Sequence, residues 1–396
     1  MLRSLFSGIS GLRSHQTMLD VTGNNIANVN TTGFKSSQTQ FQDTLSQVLS
    51  NAGGAQQGTG GTNPAQVGLG VRVAGITTNF TQGASQITGR STDMMIQGDG
   101  FFMVRKGNDA FYTRAGSFDF DATGQMVLPG EGALVQGWAA DKYGNIDTNG
   151  PLSDLKVPSG TIMAPIASSS ATYAGNLDSA APAGTTLERT IDLFDSTGTA
   201  RTLALTFTSK GGGDWTLDAT DGDPLNDVKG AAVTFDTAGT LTSAKSIAVG
   251  GVTVDLAGLT GFSGLDTVRA ATQDGQSAGT LQSFALGADG TITGAFSNGL
   301  KQTIGRLALG SFTNPSGLEK AGGSLFRTSV NSGDPQVGAA GTGGRGSLAG
   351  GALEMSNVDL SSEFTNLIVA QRGFQANSRV ITTSDEVLQE LVNLKR

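Results

Sequence analysis

At both ends of the chain, apolar residues recur at alternating spacings of four and three. Leu5, Ile9, Leu12, Leu19 and Ile26 keep this rhythm near the start, with Gln16 and Gly23 in the two slots that interrupt it. Such a heptad-like seam predicts an amphipathic helix that packs along one stripe. The pattern stops at Asn24-Asn25-Ile26-Ala27-Asn28-Val29-Asn30-Thr31-Thr32-Gly33. There Asn and Thr side chains compete for backbone hydrogen bonds, and Gly33 supplies a helix stop. Near the end, Leu360, Phe364, Leu367, Phe374, Ile381 and Leu388 keep the same register, with Gln371, Ser378 and Asp385 in the intervening slots. Val380, Val387, Leu391 and Leu394 widen that stripe. Asp359 is a cap candidate and Glu363 places an acid in the first turn. A helix over 360–394 would be roughly 50 Å long at about 1.5 Å per residue.

The middle carries the other period. Short strand-like runs recur at 101–104, 117–120, 125–128, 189–194, 202–208, 215–218, 231–235, 252–256, 281–286 and 305–312. All nine prolines lie between Pro64 and Pro335, inside this region and outside both helical ends. Asp-x-x-Gly recurs between runs, at 121–124, 141–144, 195–198 and 236–239. Asp suits the first position of a type I turn and Gly accepts positive φ at the fourth, so these read as turns. None has the acidic spacing of a calcium loop. Two Gly-rich stretches, 51–61 and 338–351, read as hinges that set the β middle apart from the ends.

The pattern predicts an α+β multidomain chain. Paired terminal helices form a coiled-coil-like inner domain from 1–35 and 358–396. A connecting segment follows at 36–70. A mainly β middle lies between the helices.

Composition narrows the chemistry. Glycine is 59 of 396 residues, about twice ordinary usage, and charged residues are only 15%. There is no cysteine, which excludes disulfides, thiolate metal sites and a cysteine nucleophile. His15 is the single histidine, so a His-based triad or multi-His zinc site is not available. His15 itself reads as a polar helix position. The net charge of -8 gives no general attraction for nucleic acid or anionic membrane. No apolar run of about 18 residues is present to insert in a bilayer. Met1 to His15 lacks the apolar core of a cleavable secretory signal. Gly341-Thr342-Gly343-Gly344-Arg345-Gly346 matches a dinucleotide fingerprint in letters, yet both flanks read as loop. Asp221 and Asp223 sit in a Gly/Pro turn and read as solvated loop acids. No cofactor is expected.

Several segments go beyond pattern. Ser4–Leu12, Leu19–Asn28 and Thr32-Gly33-Phe34-Lys35 resemble the N-terminal signature of the bacterial flagellar rod and hook proteins. Ala352–Leu360 and Ile368–Ser378 resemble the C-terminal signature of the same family. Val67–Ile76 and Gly98-Asp99-Gly100-Phe101-Phe102 are similar to its inner region. Asn24, Asn25, Asn28, Gly33, Gln371 and Asn377 are the motif positions. The stretch of about 120 residues near 152–272 fits the outer insertion that hook-type members carry and rod-type members lack, so the resemblance implies two mainly β domains inserted between the helices, an inner one at 71–151 with 273–357 and an outer one at 152–272.

The resemblance implies a subunit that polymerises into a hollow, curved tube, coupling rod to filament and transmitting torque. Its partners would be copies of itself, the flagellar rod, hook cap and hook–filament junction proteins, and the export apparatus. It would leave the cell without a cleaved signal and reside in the extracellular part of the flagellum. The seam residues Leu5, Ile9, Leu12, Leu19, Ile26, Leu360, Phe364, Leu367, Phe374, Ile381 and Leu388 would form the assembly interface. A distal rod subunit is a close variant. A secreted adhesin-like module would not need heptads at both ends, and a hydrolase using loop carboxylates would need a cleft that no motif announces.

Overall fold

Leu2–Ala27 forms one helix, α1, and Leu360–Asn393 a second, α2. Both follow from the 3.6-residue apolar rhythm. At the start of α2, Asp359 caps the helix by accepting from the Ser361 and Ser362 amides at 2.9 and 3.4 Å. The computed structural model describes residues 2–54, 58, 60–157 and 160–394. The chain divides into two compact units. One holds residues up to 157 with 284–293 and 303 onward; the other holds 160–283 with 294–302.

In the first unit, Ala133–Ala139, Phe101–Lys106, Asp109–Thr113, Leu325–Arg327 and Glu319–Gly322 lie side by side in one sheet. Its core is aromatic. Phe101 meets Phe80, Phe312 and Phe326 at ring-centroid distances of 5.5, 5.8 and 5.9 Å, and Tyr112 meets Phe312 edge-on at 4.7 Å. Edge-to-face pairs of this kind add to simple burial.

The second unit is a β-sandwich. One four-stranded sheet runs Ser246–Val249, Val252–Thr260, Ser170–Asn176, Arg269–Gln273; the other runs Thr186–Phe194, Ala200–Gly211, Asp214–Thr220, Val228–Val233. Leu203, Leu205 and Phe207 alternate inward from the second sheet, as do Trp215, Leu217 and Ala219. Val252, Val254 and Leu256 do so from the first, and all share one core with Tyr173. Period-two burial on two facing sheets defines this packing.

The Asp-x-x-Gly turns form as the sequence predicts. Asp121 accepts from the Thr123 and Gln125 amides, both at 2.8 Å, and Asp141, Asp195 and Asp236 repeat the pattern. Gly124, Gly144, Gly198 and Gly239 take φ of 77, 84, 84 and 76°.

Four expectations change. The segment 36–70 is more than a connection: Ser37–Asp43 pairs with Val71–Thr78, and Ser46–Ser50 with Ala65–Gly68. Residues 55–57 and 59 of the first Gly-rich stretch lie outside the described residues. Residues 152–157 belong with the first unit, because Ser153 and Asp154 pair with Gly137 and Gln136 and Leu155 is buried, while 273–283 and 294–302 belong with the second unit rather than the first. The second Gly-rich stretch is no hinge. Ser347–Gly350 pairs with Met94–Gln97, while the Arg345 side chain lies over Gly338 and Gly343 and donates from Nε to Ala339 O at 3.2 Å. Its glycines serve close approach and positive φ rather than flexibility. A strand, not a helix, follows 341–346, so the fingerprint context is missing. Finally, Asp221 is buried rather than solvated and takes Arg201 Nη1 at 3.2 Å.

Candidate assembly site

The two terminal helices lie antiparallel, and the line along which they meet is unlike the expected one. Gly11 faces Asn377, Gly373 faces His15, and Asn25 donates to Glu363 Oε1 at 2.9 Å. In each pair the two residue numbers add to 388. Gly8 packs on Ile381 and Val380 near the start of α1. Ser14, Thr22, Asn25 and Ala370 are buried along the same faces. These positions sit one residue before the apolar seam: 8, 11, 15, 22 and 25 against 9, 12, 16, 23 and 26, and 370, 373 and 377 against 371, 374 and 378. One residue is about 100° around a helix. The glycines let the backbones approach closely, since a Cβ on Gly373 would fall 2.5 Å from the His15 ring.

The apolar seam therefore flanks the line of closest approach within the chain and touches it at Ile381, on which Gly8 packs. Leu5, Ile9, Leu12, Leu19 and Ile26 are half-buried, as are Leu367, Phe374, Ile381 and Leu388. Leu360 and Phe364 are 40% and 52% exposed. Ile368, Val369, Val380 and Val387 add to the open apolar surface of α2. Large side chains spaced along two helices and left half in water are what an unfilled helix–helix interface presents.

Where α1 ends, a polar knot fixes its exit. Asn25 accepts the Ser37 amide at 3.0 Å and donates to Ser37 O at 2.8 Å. Asn28 donates to Asn24 O at 2.9 Å and accepts Thr31 Oγ1 at 3.1 Å. Gly33 has φ 67°, and its amide donates to Glu354 O at 2.8 Å. Any Cβ there would meet the Ala115 backbone, so glycine is required twice over. Asn24 and Gln371 are exposed, and Asn377 donates to Gly373 O at 2.8 Å within its own helix.

Beneath the knot lies a charge cluster that the sequence reading missed. Lys35 Nζ sits 2.6 Å from Glu354 Oε1 with both side chains fully buried, and it also donates to Thr81 O at 2.8 Å. Glu354 accepts the Gly83 amide at 2.9 Å and pairs with Arg114 at 3.4 Å. Arg114 also stacks on Phe101, 5.2 Å from its centroid. Burial pushes the Lys35 and Arg114 pKa values down against the pull of Glu354. Asn357 completes the junction, accepting the Ser36 amide and donating to Asn79 O, both at 2.8 Å. One charge network thus joins the exit of α1, the sheet and the approach to α2. Lys35 and Glu354 stood inside recognisable segments, yet nothing local paired residues 319 positions apart.

Among the described residues no group of three or more His, Asp or Glu side chains could hold a metal ion. A cavity of about 480 Å³ beside the knot is lined by Phe34, Leu128, Pro129 and Phe326, and its lysines, Lys35 and Lys320, are engaged. No helix among the described residues is long and apolar enough to cross a membrane.

Comparison with known proteins gives this geometry a context. Residues 5–35 match the family described as flagella basal body rod protein, and 349–394 the flagellar basal body rod FlgEFG protein C-terminal. Residues 95–169 match the flagellar hook protein FlgE/F/G D1 domain, and 159–281 the flagellar basal body protein FlaE D2 domain. The flagellar hook protein FlgE of Borreliella burgdorferi is 39% identical over all of both chains. The flagellar basal-body rod protein FlgG of Bacillus subtilis is 35% identical over all of both. The crystal structure of Helicobacter pylori flagellar hook protein FlgE2 shares the fold, with a TM-score of 0.52 at 16% identity, covering 66% of this chain and 98% of that one.

Proposed function

The chain belongs to the flagellar hook protein family and is a structural subunit of the bacterial flagellar hook, and from that premise we propose how its terminal helices build the polymer. The paired α1 and α2 would form the inner layer of a hollow tube, the first unit's sheets the next layer, and the sandwich the outer surface. One observation carries the reading. The helices pair through Gly8, Gly11, Gly373 and Asn377, which leaves both apolar seams half open to other copies. Leu5, Ile9, Leu12, Leu19, Ile26, Leu360, Phe364, Leu367, Phe374, Ile381 and Leu388 are then the contacts between subunits. A seam used inside one chain would be closed already.

Rod, hook cap and junction proteins, and passage through the flagellar export apparatus without a cleaved signal, belong to the same reading. So does the absence of any enzymatic role. Electron microscopy of purified protein under polymerising conditions tests the tube, and N-terminal sequencing of protein recovered from hooks tests the export route. Formation of tubes with an intact N-terminus is the expected result. A rod subunit is the second reading, favoured by the full-length similarity to the Bacillus subtilis rod protein. The D2-type match at 159–281 favours the hook, and labelling of isolated basal bodies separates the two.

A further inference from the structure

Two unsatisfied surfaces of the terminal helices complement each other. The first is a groove of about 380 Å³ where the first half of α1 meets the strand Val71–Thr78. Phe6, Ile9, Val71 and Val73 make it apolar, and Arg13 and Arg72 line it. Phe6 is 64% exposed. Arg72 reaches Gln42 Oε1 at 3.1 Å, and among the described residues neither arginine has a carboxylate partner.

The second surface is the end of α2. Val387, Leu391 and Leu394 follow one another at spacings of four and three, so they share a face. They are 42%, 47% and 82% exposed. Glu386 and Glu390 stand one turn apart beside this stripe, and neither has a cationic partner among the described residues. By the register that pairs the helices, Leu2 stands opposite residue 386. The stripe beyond it has no α1 partner among the described residues.

We propose that the final turns of α2 dock into this groove of a second copy of the chain. The proposal rests on the polymer reading above and specifies one of its contacts. Val387, Leu391 and Leu394 would cover Phe6, Ile9, Val71 and Val73, removing apolar surface from water on both sides. Glu386 and Glu390 would meet Arg13 and Arg72, and the opposed charges would fix which way the helix lies in the groove. The groove and the stripe are different surfaces of one chain. A contact between them is heterologous, so every copy offers both halves and the contact repeats without closing. That is the topology a helical polymer needs.

The full chain, with no cysteine of its own, allows a direct test. Ile9→Cys with Leu391→Cys is oxidised after polymerisation and run on a denaturing gel; Ile9→Cys with Ile368→Cys is the control. A ladder of covalent oligomers from the first pair, and none from the control, is the expected result. In parallel, Arg13→Glu with Arg72→Glu, and separately Glu386→Arg with Glu390→Arg, are expected to raise the concentration needed for tubes by about tenfold or more. The four substitutions together are expected to restore it towards wild type. Wild-type tubes without a ladder, or without rescue by the combined reversal, overturn the docking and leave the polymer reading standing. A wild type that forms no polymer overturns both.

Discussion

Gly11 and Asn377 meet so closely that a Cβ on the glycine would lie 2.6 Å from the Asn377 amide oxygen. Asn377 is held there by its own bond to Gly373 O at 2.8 Å. The helices are thus tied by a small-residue contact, and their large apolar side chains are kept for elsewhere.

Two glycine substitutions should then act in opposite directions. Gly373→Leu drives a side chain into the His15 ring and should destabilise the helix pair by about 1–3 kcal/mol. Gly23 has nothing within 4 Å, so Gly23→Ala should stabilise α1 by about 0.5–1 kcal/mol through backbone entropy alone. Urea unfolding of the monomer, followed by helical circular dichroism, checks both signs.

Leu367→Asp or Phe374→Asp should block assembly while both β units stay folded. A carboxylate buried without a partner costs several kcal/mol at every repeat of the contact. Sedimentation reads the polymer, and the fluorescence of Trp138 and Trp215, one in each unit, reads the folds. Tubes at wild-type concentration would remove these residues from the interface.

The buried pair predicts a non-additive result. Lys35→Met strands much of the Glu354 charge and should cost about 3–5 kcal/mol, since breaking a buried pair leaves an uncompensated ion. Lys35→Met with Glu354→Leu should recover part of that loss, tempered by Arg114, which then loses its own partner. Thermal unfolding of the single and double variants gives the coupling.

The sequence made the helices legible because a seam of four-three spacing has few other readings, and Asp359 marked the α2 start. It did not reveal which stripe pairs within the chain. Gly8, Gly11 and Gly373 carry no hydrophobic signal; their role is to let a neighbour in, which only the neighbour's position discloses. The cluster of Lys35, Arg114 and Glu354 was hidden for the same reason. Asp-x-x-Gly turns were readable because their chemistry is local. The boundary near 152 was misplaced because Leu155 fills the space beside Gly137 and Gly305, a contact without local signature.

Asp274 predicts a pH effect in the sandwich. Partial desolvation would raise its pKa, but hydrogen bonds from Ser169 Oγ and the Ser169 and Ser170 amides outweigh it and bring the value to about 2. A carboxylate depressed in the folded state contributes stability above its unfolded pKa, and that contribution is lost as pH falls from about 4 through 2. Because the group is exposed, screening limits the effect to about 1 kcal/mol. Asp274→Asn should therefore lower the unfolding temperature at pH 7 and differ little from wild type near pH 2. Trp215 fluorescence in a Trp138→Phe background isolates this unit.

Removing the sandwich should change mechanics more than assembly. Ile166 and Gln276 exchange backbone hydrogen bonds, N to O, at 3.0 and 2.9 Å, so the chain leaves and returns at adjacent points. A deletion of 167–275 can be closed by a short linker there, whereas a cut at Thr272 would sever the strand Arg269–Gln273. The helices proposed to nucleate the tube lie far from this segment in sequence. At the largest radius of a tube, bending stretches and compresses contacts most, so polar contacts there would let neighbouring copies slide. The deleted chain should still be exported and form tubes, with altered curvature or stiffness. Electron microscopy of hooks from cells carrying the deletion, scored beside motility, decides it. Normally curved hooks with full motility refute the mechanical role; complete loss of tubes shows that assembly itself needs the sandwich.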